Sequence, residues 1–206
     1  MMKKLLVALL ASALLTFSTG LALAVPTTLV NQGSQWQYQQ FSSPDLYATW
    51  STAGYDSFDW ANAAWSTGYA AFGNGNSLPN NTYWQSGTDL ALQMTFTIPT
   101  SPINGDLTLN VAADNGFIIF INGVQIAKEN AEGYTSIWEY TLSIDNSPFL
   151  APGENLIQVL AEDHGAKTYF DMELSGDIPP VPEPGTILLL GAGLVGLAAW
   201  RRSKNS

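Results

Sequence analysis

The chain has 206 residues, no cysteine and a formal net charge of −10 at pH 7. Without cysteine no disulfide can hold the fold together, so a hydrophobic core has to do so. All seventeen acidic residues lie between Asp45 and Glu183, where only Lys128 and Lys167 are basic, so this central region has a formal charge of −15. A field of that sign repels phosphate groups and excludes nucleic acid as a partner.

Residues 1–24 have the pattern of a secretory signal peptide. A pair of lysines at residues 3–4 precedes an apolar stretch over residues 5–17. Ala22 and Ala24 then give the small-x-small form that signal peptidase recognises, with cleavage expected before Val25. A permanent N-terminal anchor is the alternative, but the apolar stretch is shorter than a membrane-spanning helix requires. We therefore expect an exported protein that enters the membrane through an N-terminal signal helix.

The central region, residues 25–177, is predicted to form one all-β domain. Alternation of apolar and polar residues indicates strands with one buried face, and continuous apolar runs indicate strands buried on both faces. We predict eight or nine strands, near residues 36–41, 65–72, 90–98, 107–111, 117–121, 124–127, 138–144, 156–161 and 170–174. Asn122-Gly123 predicts a two-residue hairpin turn. Short strands with a turn signal about every ten residues predict a two-sheet antiparallel β-sandwich.

Four segments of this domain resemble the galactose-binding-like jelly-roll family. They are Trp65 to Gly73, Met94 to Pro99, the stretch from Ala113 through Asp114-Asn115-Gly116 to Gly123, and Leu150-Ala-Pro-Gly-Glu-Asn-Leu-Ile157. The resemblance implies a jelly-roll sandwich, as found in many carbohydrate-binding modules and in the sugar-binding domains of glycosidases. Asp114-Asn115-Gly116 also resembles the PA14-type β-domain, which is the second fold considered.

Few residues of the central region point to catalysis or to a metal. His164 is the only histidine, and we interpret it as a surface-loop residue. One histidine without cysteine is too few for a zinc site. The carboxylates favour Ca²⁺, with Asp171 and Glu173 on one strand face and Glu162-Asp163 near them in sequence, although two acids on one face more often indicate a solvated surface. We expect no cofactor beyond a structural calcium ion, for which no ligand set is assigned.

Aromatic residues are the other candidates for ligand binding, because flat exposed rings stack on sugar faces. Six tryptophans fall in the domain, at positions 36, 50, 60, 65, 84 and 138. Tyr83 and Trp84 follow two segments rich in asparagine, glycine and proline, so we predict them to form a sugar-binding platform beside a loop. The alternative for each ring is a place in the sandwich core.

The C-terminal 26 residues combine a proline-rich motif with an anchor. Val181-Pro182-Glu183-Pro184 lies in a linker, residues 178–185, and residues 186–206 predict a short transmembrane helix with a basic tail. The basic residues at both ends of the chain would start on the cytoplasmic side. The apolar run of fifteen residues spans only about 22 Å as a helix, which suits a temporary anchor.

This C-terminal arrangement resembles the PEP-CTERM sorting signal. The resemblance implies that an exosortase-type membrane peptidase recognises Pro182-Glu183-Pro184 and removes or exchanges the anchor. It also implies a Gram-negative-type bacterium that secretes extracellular polysaccharide. We therefore predict an exported protein, transiently anchored in the inner membrane, that ends at the cell surface or outside the cell.

Three functions are compatible with these features. The first is a non-catalytic surface or extracellular-matrix protein associated with extracellular polysaccharide. The second is a carbohydrate-binding module, with or without a calcium ion. The third is a glycan-active enzyme, because pairs of carboxylates can hydrolyse glycosides. Seventeen acids in one region produce close pairs by chance, so the third function ranks last.

Overall fold

The computed structural model describes residues 25–42, 58–75, 79–98, 106–130, 140–145 and 149–178, together with residues 191, 193, 201 and 202. Within these residues the chain forms twelve strands: β1 Val25–Val30, β2 Gln35–Phe41, β3 Ser66–Tyr69, β4 Phe72–Gly73, β5 Thr82–Tyr83, β6 Asp89–Ile98, β7 Asp106–Asp114, β8 Gly116–Ile121, β9 Val124–Asn130, β10 Tyr140–Asp145, β11 Gly153–Glu162 and β12 Tyr169–Ile178.

The strands form two six-stranded sheets. Sheet 1 has the order β10-β7-β12-β4-β5, with β1 also paired to β12, and sheet 2 has the order β3-β2-β6-β11-β8-β9. The pairs are antiparallel except for β4 with β5, which is parallel. All twelve strands belong to one unit, Val25–Ile178. The predicted all-β sandwich of two sheets is confirmed.

The core lies between the sheets and follows the predicted period of two. In β6, Leu90, Leu92, Phe96 and Ile98 are buried, whereas Thr95 and Thr97 are exposed. Strand β8 is buried on both faces, as its continuous apolar run predicts. Its residues 117, 119 and 121 join the main core, while residues 118 and 120 form a separate buried cluster on the opposite face.

The strand pairing corrects the predicted strands in two ways: one predicted strand is divided into two, and two further strands are present. The stretch predicted as one strand over residues 65–72 is two strands, because the chain leaves sheet 2 after β3 and enters sheet 1 at β4. Ala70 and Ala71 lie at this crossing, and both are buried. Strands β1 and β5 were not predicted. A two-residue strand such as β5 has no period to detect, and β1 begins at Val25-Pro26, where proline argues against a strand interior.

The predicted hairpin turn between β8 and β9 is confirmed. Asn122 and Gly123 have φ angles of 50° and 79°, the left-handed pair that a tight two-residue turn requires. The Asn122 amide nitrogen donates to Phe149 O (2.8 Å) and to Asn155 Oδ1 (2.8 Å). The turn is therefore tied to the segment that precedes β11.

The buried side chain of Asn155 holds that segment. Its amide nitrogen donates to Ala151 O (2.8 Å) and Gly153 O (3.0 Å), and its oxygen accepts from Ala151 N (2.8 Å). Gly153 has a φ of 91°, which a residue with a side chain rarely adopts. The Leu-Ala-Pro-Gly-Glu-Asn motif is thus a turn closed by its own asparagine, and its role is structural.

We expect Asn155→Ala to lower the free energy of unfolding by about 1–2 kcal/mol, because several hydrogen bonds are lost together while Asn122 and Ala151, being exposed, can turn to water. Chemical denaturation of the wild type and variant measures the change. Glu154→Ala, at the exposed neighbouring position, is the matched control. Equal stability of Asn155→Ala and the wild type would contradict this account of the motif.

Candidate functional site

Buried acids gather where two strands of sheet 2 connect to sheet 1. Strand β7 passes to β8 through Asp114 and Asn115, and β11 passes to β12 through a loop that begins at Glu162 and Asp163. All four side chains are buried. We call these four residues the acidic corner. Its backbone is closed by a hydrogen bond from Asn115 N to Glu162 O (2.7 Å).

Asp163 ties the acidic corner to the turn between β5 and β6. Its Oδ2 accepts a hydrogen bond from Gly87 N. Its Oδ1 is buried, and no described residue forms a hydrogen bond with it. Burial raises the pKa of Asp163, and hydrogen bonds from Gly87 N and Gly165 N oppose that rise. The Asp163 carboxylate therefore links two loops, and the burial of its charge costs free energy.

Asp114 is a second acid of the acidic corner whose pKa is raised. Burial, and then the negative charge of Asp163, raise its pKa to about 6, against the opposing positive charges of Lys167 and His164. His164 itself is a loop residue, as predicted. Its Nε2 lies 3.0 Å from Glu162 Oε1, and its backbone nitrogen donates to Asn115 Oδ1 (2.8 Å).

Among the acids that favoured Ca²⁺ in the sequence, Asp171 lies on β12. Asp171 is buried rather than solvated, and its Oδ1 accepts from Met172 N (2.8 Å) and Gly33 N (3.4 Å). Burial raises its pKa to about 6, with Glu173 adding to the rise. In the part of the chain that the structure describes, no three His, Cys, Asp or Glu side chains are grouped to hold a metal. Calcium stays a prediction without a ligand set.

The predicted Tyr83–Trp84 platform is wrong for Trp84. That ring is fully buried, and its indole nitrogen donates to Thr88 O (2.8 Å). Tyr83, the preceding residue, ends β5 and is 60% exposed, so only Trp84 of these two adjacent rings enters the core. Trp84 belongs to the core together with Trp36, while Trp50 and Trp138 lie outside the described residues.

Half-exposed rings gather instead at the end of β2. Phe58 packs on Phe41 with ring centroids 4.9 Å apart and on Trp60 at 4.8 Å. Trp60 and Trp65 are stacked, with centroids 5.9 Å apart and an interplanar angle of 26°. We call these four residues the aromatic cluster. Each ring keeps part of its surface exposed, as a stacking platform for a flat ligand requires.

The aromatic cluster continues into a row of amides on the outer face of sheet 2. Trp36 and Tyr38 face the core, so alternation places Gln37, Gln39 and Phe41 on the outer face. The outer-face side chain of Gln39 accepts from Ala64 N (2.6 Å), next to Trp65. This bond attaches the aromatic cluster to the strand.

The amide row consists of Gln37, Gln93 and Gln158, which are register partners on β2, β6 and β11. Gln93 Nε2 donates to Gln37 Oε1 (2.9 Å), and Gln158 Nε2 donates to Gln93 Oε1 (3.3 Å). On the other side of β2, Tyr69 is the register partner of Gln35 and is 54% exposed. The outer face thus presents an aromatic ring at each end and amides between them.

Sequence reasoning named Trp60 only as a member of the tryptophan set and Trp65 also as the start of the segment Trp65 to Gly73, and it did not single out the glutamines. The even-odd alternation of Gln35, Gln37 and Gln39 around Trp36 and Tyr38 was a usable signal for a polar outer face. The contacts between Gln37, Gln93 and Gln158 had no such signal, because they depend on strand register.

The predicted signal-cleavage residues Ala22 and Ala24 and the motif Val181-Pro182-Glu183-Pro184 lie outside the described residues. So does most of the predicted helix over residues 186–206, of which residues 191, 193, 201 and 202 are helical. Among the described residues, no helix combines the length and hydrophobicity needed to cross a membrane.

Comparison with known proteins gives one family match. The profile of the PEP-CTERM protein-sorting motif matches residues 180–203. This motif implies an exported protein with a C-terminal membrane-anchor signal that exosortase-type machinery recognises. No characterised protein sequence matches the chain significantly.

Similar solved structures include a β-glucuronidase from Ruminococcus gnavus, in complex with D-glucaro 1,5-lactone, at 13% identity and a TM-score of 0.46. The match covers 81% of this chain and 31% of the enzyme. A β-glucuronidase from an uncultured Clostridium species matches at 11% identity and a TM-score of 0.46, over 78% of this chain and 30% of the enzyme. The chain spans about a third of the length of these enzymes, and similarity at this level says nothing about activity.

Proposed function

We propose that this protein is a non-catalytic component of the cell surface or extracellular matrix, delivered by exosortase-type sorting. The observation that carries the proposal is the PEP-CTERM motif at residues 180–203. The charge of −15 between Asp45 and Glu183 supports a role in a hydrated matrix, because it favours solubility. The single histidine contacts Glu162 and Asn115, as expected of a group that stabilises a loop.

Sorting has a direct chemical consequence. We expect the protein recovered from outside the cell to begin near Val25 and to lack the residues that follow Pro184, because signal peptidase and the sorting peptidase each remove a terminal segment. Mass spectrometry of the intact protein and of its terminal peptides measures both ends. Recovery of a peptide containing Trp200 from the mature pool would refute sorting, and Pro182→Ala with Pro184→Ala should retain that peptide.

Carbohydrate binding is the second candidate function, and the aromatic cluster favours it. Three partly exposed rings, Phe58, Trp60 and Trp65, lie within 6.0 Å of one another on a protein intended for export. Aromatic rings of this kind pack against the apolar face of a pyranose. Retention of the full chain on polysaccharide gels, compared with a Trp60→Ala variant, tests this function.

A further inference from the structure

We infer that the outer face of β2, β3 and β6 is a binding site for an extended neutral polysaccharide. This inference rests on the carbohydrate-binding function proposed above and adds the site's extent and its ligand class. The site consists of the aromatic cluster at one end, the amides of the exposed Gln37 and the partly buried Gln93 in the middle, and Tyr69 at the other end.

The spacing along β2 fits a chain rather than a single sugar. Gln35, beside Tyr69, and Phe41, in the aromatic cluster, are six residues apart, which is about 20 Å in a strand. Gln37 lies between them on the same face. A ligand that contacts both aromatic ends therefore has to extend over several residues of β2, as an oligosaccharide or polysaccharide does.

The amides supply the hydrogen bonds that hydroxyl groups require. Gln37 Oε1 accepts one bond within the amide row, and a primary amide has two N–H donors and further acceptor capacity. Gln93 donates one N–H to Gln37, and its amide carries a second N–H donor. Uncharged amides recognise uncharged hydroxyls without the desolvation cost of a charged partner.

The charged residues near the site indicate which class of polysaccharide it binds. Asp59 is exposed within the aromatic cluster, and Asp89 is the register partner of Phe41. Of the basic residues between residues 25 and 178, Lys128 lies on β9, four strands from β2 and thus about 19 Å away, and Lys167 lies in the loop of the acidic corner. An anionic glycan would meet these carboxylates, and neither of the two lysines between residues 25 and 178 lies on β2, β3 or β6, so we assign a neutral ligand.

The test is affinity electrophoresis of the full chain through gels that contain a neutral glucan, a neutral galactan, polygalacturonate or chitosan. We expect retardation by a neutral gel only. Trp60→Ala should weaken it about tenfold or more, and Gln37→Ala, at an exposed position, about three- to tenfold. Val124→Ala, at an exposed apolar residue on β9 at the far edge of sheet 2, is the matched control and should bind like the wild type.

Each of the other possible results contradicts one part of the proposal: the ligand class, the location of the site or carbohydrate binding itself. Retardation by polygalacturonate or chitosan in preference to the neutral gels overturns the ligand class and leaves carbohydrate binding standing. Neutral binding that survives both Trp60→Ala and Gln37→Ala, or that Val124→Ala abolishes, overturns the location. Binding to none of the four gels overturns this inference and the carbohydrate-binding function together. Trp60→Tyr, which keeps an aromatic ring, should retain binding and so separates stacking from folding.

Discussion

Replacing Trp84 by alanine is expected to lower the free energy of unfolding by about 3–5 kcal/mol, a large part of the stability of a typical domain. The ring is fully buried in the core, so its removal leaves a cavity between the sheets. Its indole nitrogen also bonds Thr88 O, which loses its partner in the variant. Equilibrium denaturation of the wild type and Trp84→Ala measures the difference.

Tyr83→Ala is the matched control, because it changes the adjacent aromatic residue. The Tyr83 ring is 60% exposed, and the hydrogen bond that this residue accepts from Gln40 Nε2 goes to its backbone oxygen, which the substitution keeps. We expect a change within about 0.5 kcal/mol. Similar losses in the two variants would contradict the burial of Trp84, and loss of glycan binding in a folded Trp84→Ala variant would restore it as a ligand residue.

The domain is expected to be more stable at pH 5 than at pH 7, by about 2–3 kcal/mol. Burial raises the pKa values of Asp114 and Asp171 from 3.8 to about 6, so the folded state holds these protons more tightly than the unfolded state. Stability from this source is fully present below about pH 3.8 and is lost as the pH rises through about 6. The two groups together, at about 1.3 kcal/mol each between pH 7 and pH 5, give the expected difference.

Denaturation at a series of pH values, with Asp114→Asn as the test variant, measures this effect. Asparagine keeps the shape of the side chain without the buried charge. The variant should therefore be more stable than the wild type at pH 7 and should show about half of the wild-type pH dependence. Glu154→Gln, which removes one exposed negative charge, is the control for net charge. If the free energy of unfolding of the wild type rises from pH 5 to pH 7, the raised pKa values of Asp114 and Asp171 are contradicted.

The sequence determined the features that depend on local spacing. The period of two in β6 predicted which side chains enter the core, and the continuous apolar run of β8 predicted burial on both faces. Asn122-Gly123 predicted its own turn, because positive φ angles are a property of those two residues. The Pro182-Glu183-Pro184 motif with its apolar run and basic tail predicted the sorting signal, which the match at residues 180–203 confirms.

Only the tertiary structure decided which aromatic ring is buried and which side chains meet. Tyr83 ends a two-residue strand and Trp84 follows it directly, so no period could show that Trp84 faces the core. Asp171 alternates with apolar neighbours like a solvated residue, yet it is covered and bonds Gly33, 138 positions away. Gln37 and Gln93, 56 positions apart, meet because antiparallel pairing sets them in register. Burial and register depend on how strands pack against one another, and the local spacing of residues in the sequence does not determine them.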